Sequence, residues 1–80
     1  MIKINILTPE WSREFTADRV FLPGTLGEFE VLRNHAPIIS TLKAGDIKWG
    51  TDGSAELERL PIKGGVVRLK DNSMDICVEV

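Results

Sequence analysis

The sequence predicts an all-β domain, a small β-sandwich or flattened barrel of about 8–10 short, mainly antiparallel strands. Three observations carry that reading. Turn-forming residues recur about every 8–12 residues between short apolar runs, as expected of sandwiches and barrels. The two ends alternate with period two, Ile2, Ile4 and Ile6 at one and Met74, Ile76, Val78 and Val80 at the other. No segment carries an apolar stripe of helical period.

In chain order, residues 1–7 form a half-buried strand, with Lys3 and Asn5 opposite the isoleucines. Thr8-Pro9-Glu10 ends it, because Pro9 has no N–H for a ladder. Residues 11–13 read as a turn or bulge. Residues 14–22 read as a strand or strand pair whose apolar part is Phe15 and Val20-Phe21-Leu22; Thr16 and the missing helical period weigh against a short helix over 11–18. A Pro23-Gly24 turn leads to an apolar strand over 29–32. The polar corner Arg33-Asn34-His35 follows, closed by Ala36-Pro37, and a β-rich run over 38–42 leaves it.

Lys43-Ala44-Gly45-Asp46 reads as a turn, and residues 46–50 as a short strand containing Trp49. Thr51-Asp52-Gly53-Ser54 is the strongest hairpin signal, since Asp-Gly suits a tight turn that needs positive φ. Residues 55–60 return as a strand with Glu56 and Glu58 on its wet side. Pro61 marks an edge or a strand start, and Gly64-Gly65 a bulge or a close backbone approach. Residues 66–69 form another strand, Lys70-Asp71-Asn72-Ser73 another turn, and residues 74–80 the last strand.

Eighty residues make a single domain, 1–80. A domain of this size buries only about 60–65% of its unfolded surface, so a partner is a natural source of further stability. Ten basic and twelve acidic side chains are well mixed and leave a net charge of −2. That balance points to neither nucleic acid nor anionic lipid. Cys77, the only cysteine, permits no internal disulfide, and with a single histidine the chain lacks the ligands of a structural zinc site. There is no signal-like segment and no run of about 18 apolar residues, so no direct membrane insertion is expected.

Nor is catalytic chemistry apparent. His35 is the only histidine, and no nucleophile elbow frames a serine. Gly24-Thr25-Leu26-Gly27 is followed by Glu28 and not by the Lys-Ser/Thr of a phosphate loop. Glu28 with Glu30, and Glu56 with Glu58, share strand faces and read as solvated. The expectation is a non-enzyme with no catalytic residues, no metal and no cofactor. Cys77 reads as a small buried side chain. Trp49 and Trp11 either cap the core or lie at an interface. On the residues alone, His35 hydrogen-bonds locally within its turn.

The run over 22–42 carries more. Pro23-Gly24-Thr25-x-Gly27-Glu28-Phe29-x-Val31-Leu32-x-x-His35-Ala36-Pro37, followed by Leu42-Lys43-x-Gly45, resembles the signature of the ε subunit of F-type ATP synthases, called δ in mitochondria. The similarity extends to Thr8-Pro9-Glu10 and Gly64-Gly65 and spans essentially the whole chain. Arg33 stands where that pattern often has proline, Ala44 replaces the proline of a Lys-Pro-Gly turn, and the segment from Phe15 to Pro23 is shorter than usual.

The resemblance implies a non-catalytic rotor subunit of the central stalk. Such a subunit couples rotation of the c-subunit ring, driven by ion flow, to the γ subunit, and only indirectly to the catalytic α and β subunits. It places Glu28, Arg33, Asn34 and His35 toward the ring, and Thr8, His35 and Ser40 toward γ. It implies a peripheral subunit at the cytoplasmic face of the inner (plasma) membrane, if the source is bacterial. Similar chains usually continue into a C-terminal helical hairpin that can inhibit ATP hydrolysis; here the expectation is the N-terminal sandwich alone, without that inhibition. The rival reading is a free-standing β-sandwich ligand-binding module. Two Trp, three Phe and no Tyr, mostly at core positions, give it little from which to build a concave aromatic patch.

Overall fold

The computed structural model describes residues 1–51, 53 and 55–80. Seven strands form one continuous sheet: β1 (Ile2–Leu7), β2 (Ser12–Ala17), β3 (Arg19–Gly24), β4 (Gly27–Leu32), β5 (Ile38–Gly50), β6 (Glu58–Lys70) and β7 (Ser73–Glu79). Their order is β2-β1-β7-β6-β5-β3-β4. All neighbours are antiparallel except β1 and β7, which are parallel. No helix forms among the described residues.

The all-β expectation holds, but seven strands do the work of the larger number because β5 and β6, of 13 residues each, serve twice. In the first half of β5 the inward residue is Leu42; in the second half Ile47 and Trp49 point inward. On β6 the inward set changes from Leu60 and Ile62 to Val67 and Leu69. The register between the two strands is constant, from Ile38↔Leu69 through Lys43↔Gly64 and Gly45↔Ile62 to Trp49↔Glu58. A paired ribbon that turns its other face inward without slipping has passed from one layer of a sandwich to the other. One layer is therefore β2-β1-β7 with the second half of β6 and the first half of β5. The other is the first half of β6, the second half of β5, β3 and β4.

This overturns the turn expected at Lys43-Ala44-Gly45-Asp46, because the ladder continues through it as a bend. Gly45 is needed there: a Cβ would stand 2.9 Å from the Pro23 Cβ. At Gly64-Gly65 the unbroken register excludes a bulge and leaves the close approach. A Cβ on Gly65 would overlap the Cys77 carbonyl oxygen and stand 2.7 Å from the Val78 Cγ1. The Pro23-Gly24 turn also moves along the chain: Gly24 pairs with Gly27, so Thr25-Leu26 is the hairpin loop. The hairpin read at Thr51-Asp52-Gly53-Ser54 falls partly on Asp52 and Ser54, which lie outside the described residues.

One core fills the space between the layers. Ile2, Ile4, Ile6, Val20, Leu22, Val31, Ile47, Leu69, Met74 and Ile76 are fully or almost fully buried, and each large aliphatic contributes about 1.5–3 kcal/mol by leaving water. Trp49 caps this core. Its ring packs 4.7 Å from Phe15 of β2, the Arg13 guanidinium lies over both rings, and its Nε1–H donates to Glu58 Oε2 at 3.1 Å. Contact between β2 and the far half of β5, remote in sheet order, is what closing the sheet on itself requires. Cys77 departs from expectation: its strand alternates as foreseen, but the phase that buries Met74, Ile76 and Val78 leaves Cys77 exposed.

Candidate functional site

The outer face of the first layer carries the exposed apolar side chains Leu7, Ile39 and Val66. Registers across β1, β7, β6 and β5 align Leu7, Cys77, Val66 and Thr41 in one row, with Ile39 beside Arg68 in the next. All are exposed, Ile39 by 77% and Val66 by 41%. The row is bordered by the Arg68–Asp75 ion pair on one side and by Lys43 and Glu79 on the other. An apolar stripe with a charged rim is the composition of a docking surface.

Open grooves lie at both ends of this row. One, of about 620 Å³, is lined by Leu7, Thr8, Pro9, Lys63 and Cys77 among others. The second, of about 560 Å³, runs between the β3–β4 hairpin and β5, and includes Leu26, Glu28, Phe29, Ile39 and Ser40. The hairpin is held there by Thr25 N–H donating to the Thr41 carbonyl at 3.2 Å and by a 3.0 Å hydroxyl contact between the two threonines. Phe29 is the only aromatic residue in either lining.

The structure brings together some of the residues singled out from the sequence and separates others. Glu28 and Ser40, assigned to different partners, share the second groove. Glu28 is exposed and pairs with Lys48 Nζ at 3.3 Å. Ser40 is half-buried, and its hydroxyl donates to the Thr41 carbonyl at 3.3 Å. Thr8 lines the first groove and organises the β1–β2 loop. Its Oγ1 accepts from the backbone N–H groups of Glu10 and Trp11 and donates to the Trp11 carbonyl. Glu28 stands near the start of β4 and Arg33 follows its end, so roughly 15 Å of strand lies between them. His35 makes the local contact expected of it, Nδ1 lying 2.7 Å from the Ala36 carbonyl oxygen.

The corner has a partner that sequence reasoning missed. Asn34 takes φ 62°, and Asp71 and Asn72 take 51° and 59°. Positive φ at both central residues of the Lys70↔Ser73 hairpin is the type I′ geometry that suits a twisted ribbon. Across the gap, Asn72 Oδ1 accepts from the Asn34 backbone N–H at 2.7 Å, and its Nδ2 donates to Asn34 Oδ1 at 3.0 Å. The residues lie 38 apart in sequence, so no local signal reveals the contact. Leu7, Ile39 and Val66 were also missed, because their outward phase depends on register.

No three His, Cys, Asp or Glu side chains gather into a metal-holding group among the described residues. No described helix is long and apolar enough to cross a membrane.

Residues 1–80 match the family described as "ATP synthase, Delta/Epsilon chain, beta-sandwich domain". The ATP synthase epsilon chain of Leptospira interrogans is 35% identical over 83 residues, covering 98% of this chain and 61% of that one. The chloroplastic epsilon chain of Chlamydomonas reinhardtii is 42% identical over 82 residues, covering 94% and 57%. The chain thus spans about three-fifths of these relatives' length. In fold it is similar to a chain in the central stalk/c-ring structure of Tetrahymena thermophila mitochondrial ATP synthase, with TM-score 0.79, 17% identity and coverage of 98% of this chain and 63% of that one. A chain in the Euglena gracilis mitochondrial ATP synthase structure gives TM-score 0.85 and 19% identity, covering 96% and 49%.

Proposed function

Because this chain belongs to the delta/epsilon β-sandwich family of ATP synthase chains, we propose that it is a non-catalytic rotor piece of the central stalk. In that role it couples ion-driven rotation of the c-subunit ring to the γ subunit, and through γ to ATP synthesis on the α and β subunits. The observation that carries the reading is the family match over residues 1–80. The apolar outer face gives it a physical means. A piece that transmits torque must dock over a broad area and must not yield, and a closed, hydrogen-bonded sandwich is stiff.

In this reading γ packs on the row of Leu7, Cys77, Val66 and Thr41 and on Ile39 of the next row, with Thr8 in the groove at one end and Ser40 in the groove at the other. Glu28 and the corner of Arg33, Asn34 and His35 face the ring, and His35 belongs to both contacts. The chain sits peripherally on the complex, at the cytoplasmic face of the inner membrane in a bacterium. Its retention on γ during purification tests the reading; a ligand-binding module standing alone would not co-purify.

Glu28 is expected to matter least of these residues. An exposed ion pair contributes only about 0–1 kcal/mol, and the Glu28–Lys48 pair is of that kind. Glu28→Ala should therefore leave the fold intact and γ retention nearly unchanged in a pull-down. Loss of assembly from this substitution alone would contradict the ranking. The described residues contain no helix, so these eighty residues are not expected to suppress ATP hydrolysis through a helical hairpin. An ATPase assay on enzyme reconstituted with the chain checks this, and strong inhibition relieved by its removal would refute it.

A further inference from the structure

We infer that Asn72 is a positioning residue: its side chain holds the Arg33–Asn34–His35 corner in the shape with which it docks. The inference rests on the function proposed above for its docking part, but its geometry stands alone. The corner occupies an exposed connection of residues 33–37 between β4 and β5. Asn34 takes φ 62°, a left-handed conformation that asparagine tolerates better than most residues with a side chain. Arg33 lacks the ring by which a proline at this position would fix φ.

Asn72 restrains the corner from the β6–β7 turn, which is distant in sequence and adjacent in space. One amide group satisfies both the Asn34 backbone N–H and its side-chain oxygen, at 2.7 and 3.0 Å. Two bonds from one planar group fix orientation as well as distance. Asn72 is itself held, because the type I′ turn sets its backbone and its carbonyl accepts from the Lys3 N–H at 2.8 Å. The chain of restraint therefore runs from the paired strands β6 and β7 and the start of β1, through one side chain, to the corner. A corner ordered before docking loses less freedom on docking, which favours affinity.

Asn72→Gly isolates this role. Asp-Gly is the favoured pair for a type I′ turn, so the substitution keeps the hairpin and removes only the side chain. In the isolated 80-residue chain the melting temperature should be unchanged or higher, while the Asn34 amide exchanges about tenfold faster. Affinity for a complex of γ with the c-subunit ring should fall about three- to tenfold. Asn34→Gly is the second variant: it keeps the φ and the backbone bond and loses one of the two contacts, so its effects should be smaller in both assays. Unchanged Asn34 exchange in Asn72→Gly, or faster exchange with unchanged affinity, overturns the inference. If the wild-type chain does not bind the complex, the proposed function and the corner's docking role fall together. The exchange rate still decides whether Asn72 orders the corner.

Discussion

Ile39→Glu combined with Val66→Lys is expected to weaken binding to γ by about 100-fold or more while leaving the sandwich folded. Full burial of an Ile or Val side chain yields about 1.5–3 kcal/mol. Ile39 has most of that still to gain, and Val66 rather less, being 77% and 41% exposed. Together they account for about 2–4 kcal/mol of docking energy, and each 1.4 kcal/mol is tenfold in affinity. Replacing them with charges also forces desolvation of those charges at the centre of the contact.

The fold should tolerate the change. Both side chains point away from the core, and surface substitutions of this kind usually cost less than about 1 kcal/mol. Glu at 39 would lie opposite Arg68, a favourable cross-strand pairing. The opposite charges leave the net charge unaltered, so long-range repulsion cannot explain a loss. Titration of purified γ checks the affinity, and thermal unfolding checks the fold. Undiminished binding would place the γ contact on another face.

The second large effect is on stability. Gly65→Ala should lower the melting temperature by roughly 12–24 °C, or prevent folding. Its Cβ would overlap the Cys77 carbonyl and stand 2.9 Å from the Val78 Cα. These are backbone atoms of a paired strand, which no rotamer change can move aside. Accommodation must separate β6 from β7 where the β5–β6 ribbon crosses between layers, a distortion costing about 3 kcal/mol at the upper end of overpacking effects. An 80-residue domain has only about 4–12 kcal/mol of stability to lose, and each kcal/mol shifts a domain of this size by about 4–8 °C. Circular dichroism during heating measures it, and a melting temperature within a few degrees of wild type would show that the crossing is looser than described.

What the sequence made legible, and what it hid, divides along the range of the interactions. The alternation of Ile2, Ile4 and Ile6, and of Met74, Ile76 and Val78, is a local signal, and those strands lie where it puts them. Asp71-Asn72 was recognisable as a turn because its conformation is local. The bend at residues 43–46 was not, because Gly45-Asp46 has turn-like composition while the β6 ladder, set by distant residues, carries the strand through. Pro61 is a similar case: it reads as an edge or a strand start, yet β6 starts at Glu58 and runs through it.

The site follows the same division. The run from Pro23 to Pro37 was conspicuous, and the structure shows its groove and its corner. The outward phase of Ile39 and Val66 emerged only with the registers of β5, β6 and β7, and the Asn34–Asn72 contact only with the fold. Exposure of Cys77 shows the limit of composition: cysteine is usually buried, but strand phase decides.

Coupling is tested most directly in an ATP synthase from which the native delta/epsilon-type subunit has been removed. Adding this chain and measuring ATP-driven ion pumping per ATP hydrolysed should restore pumping, with the chain retained on γ. Unrestored pumping, with no chain retained on γ, would contradict a coupling role.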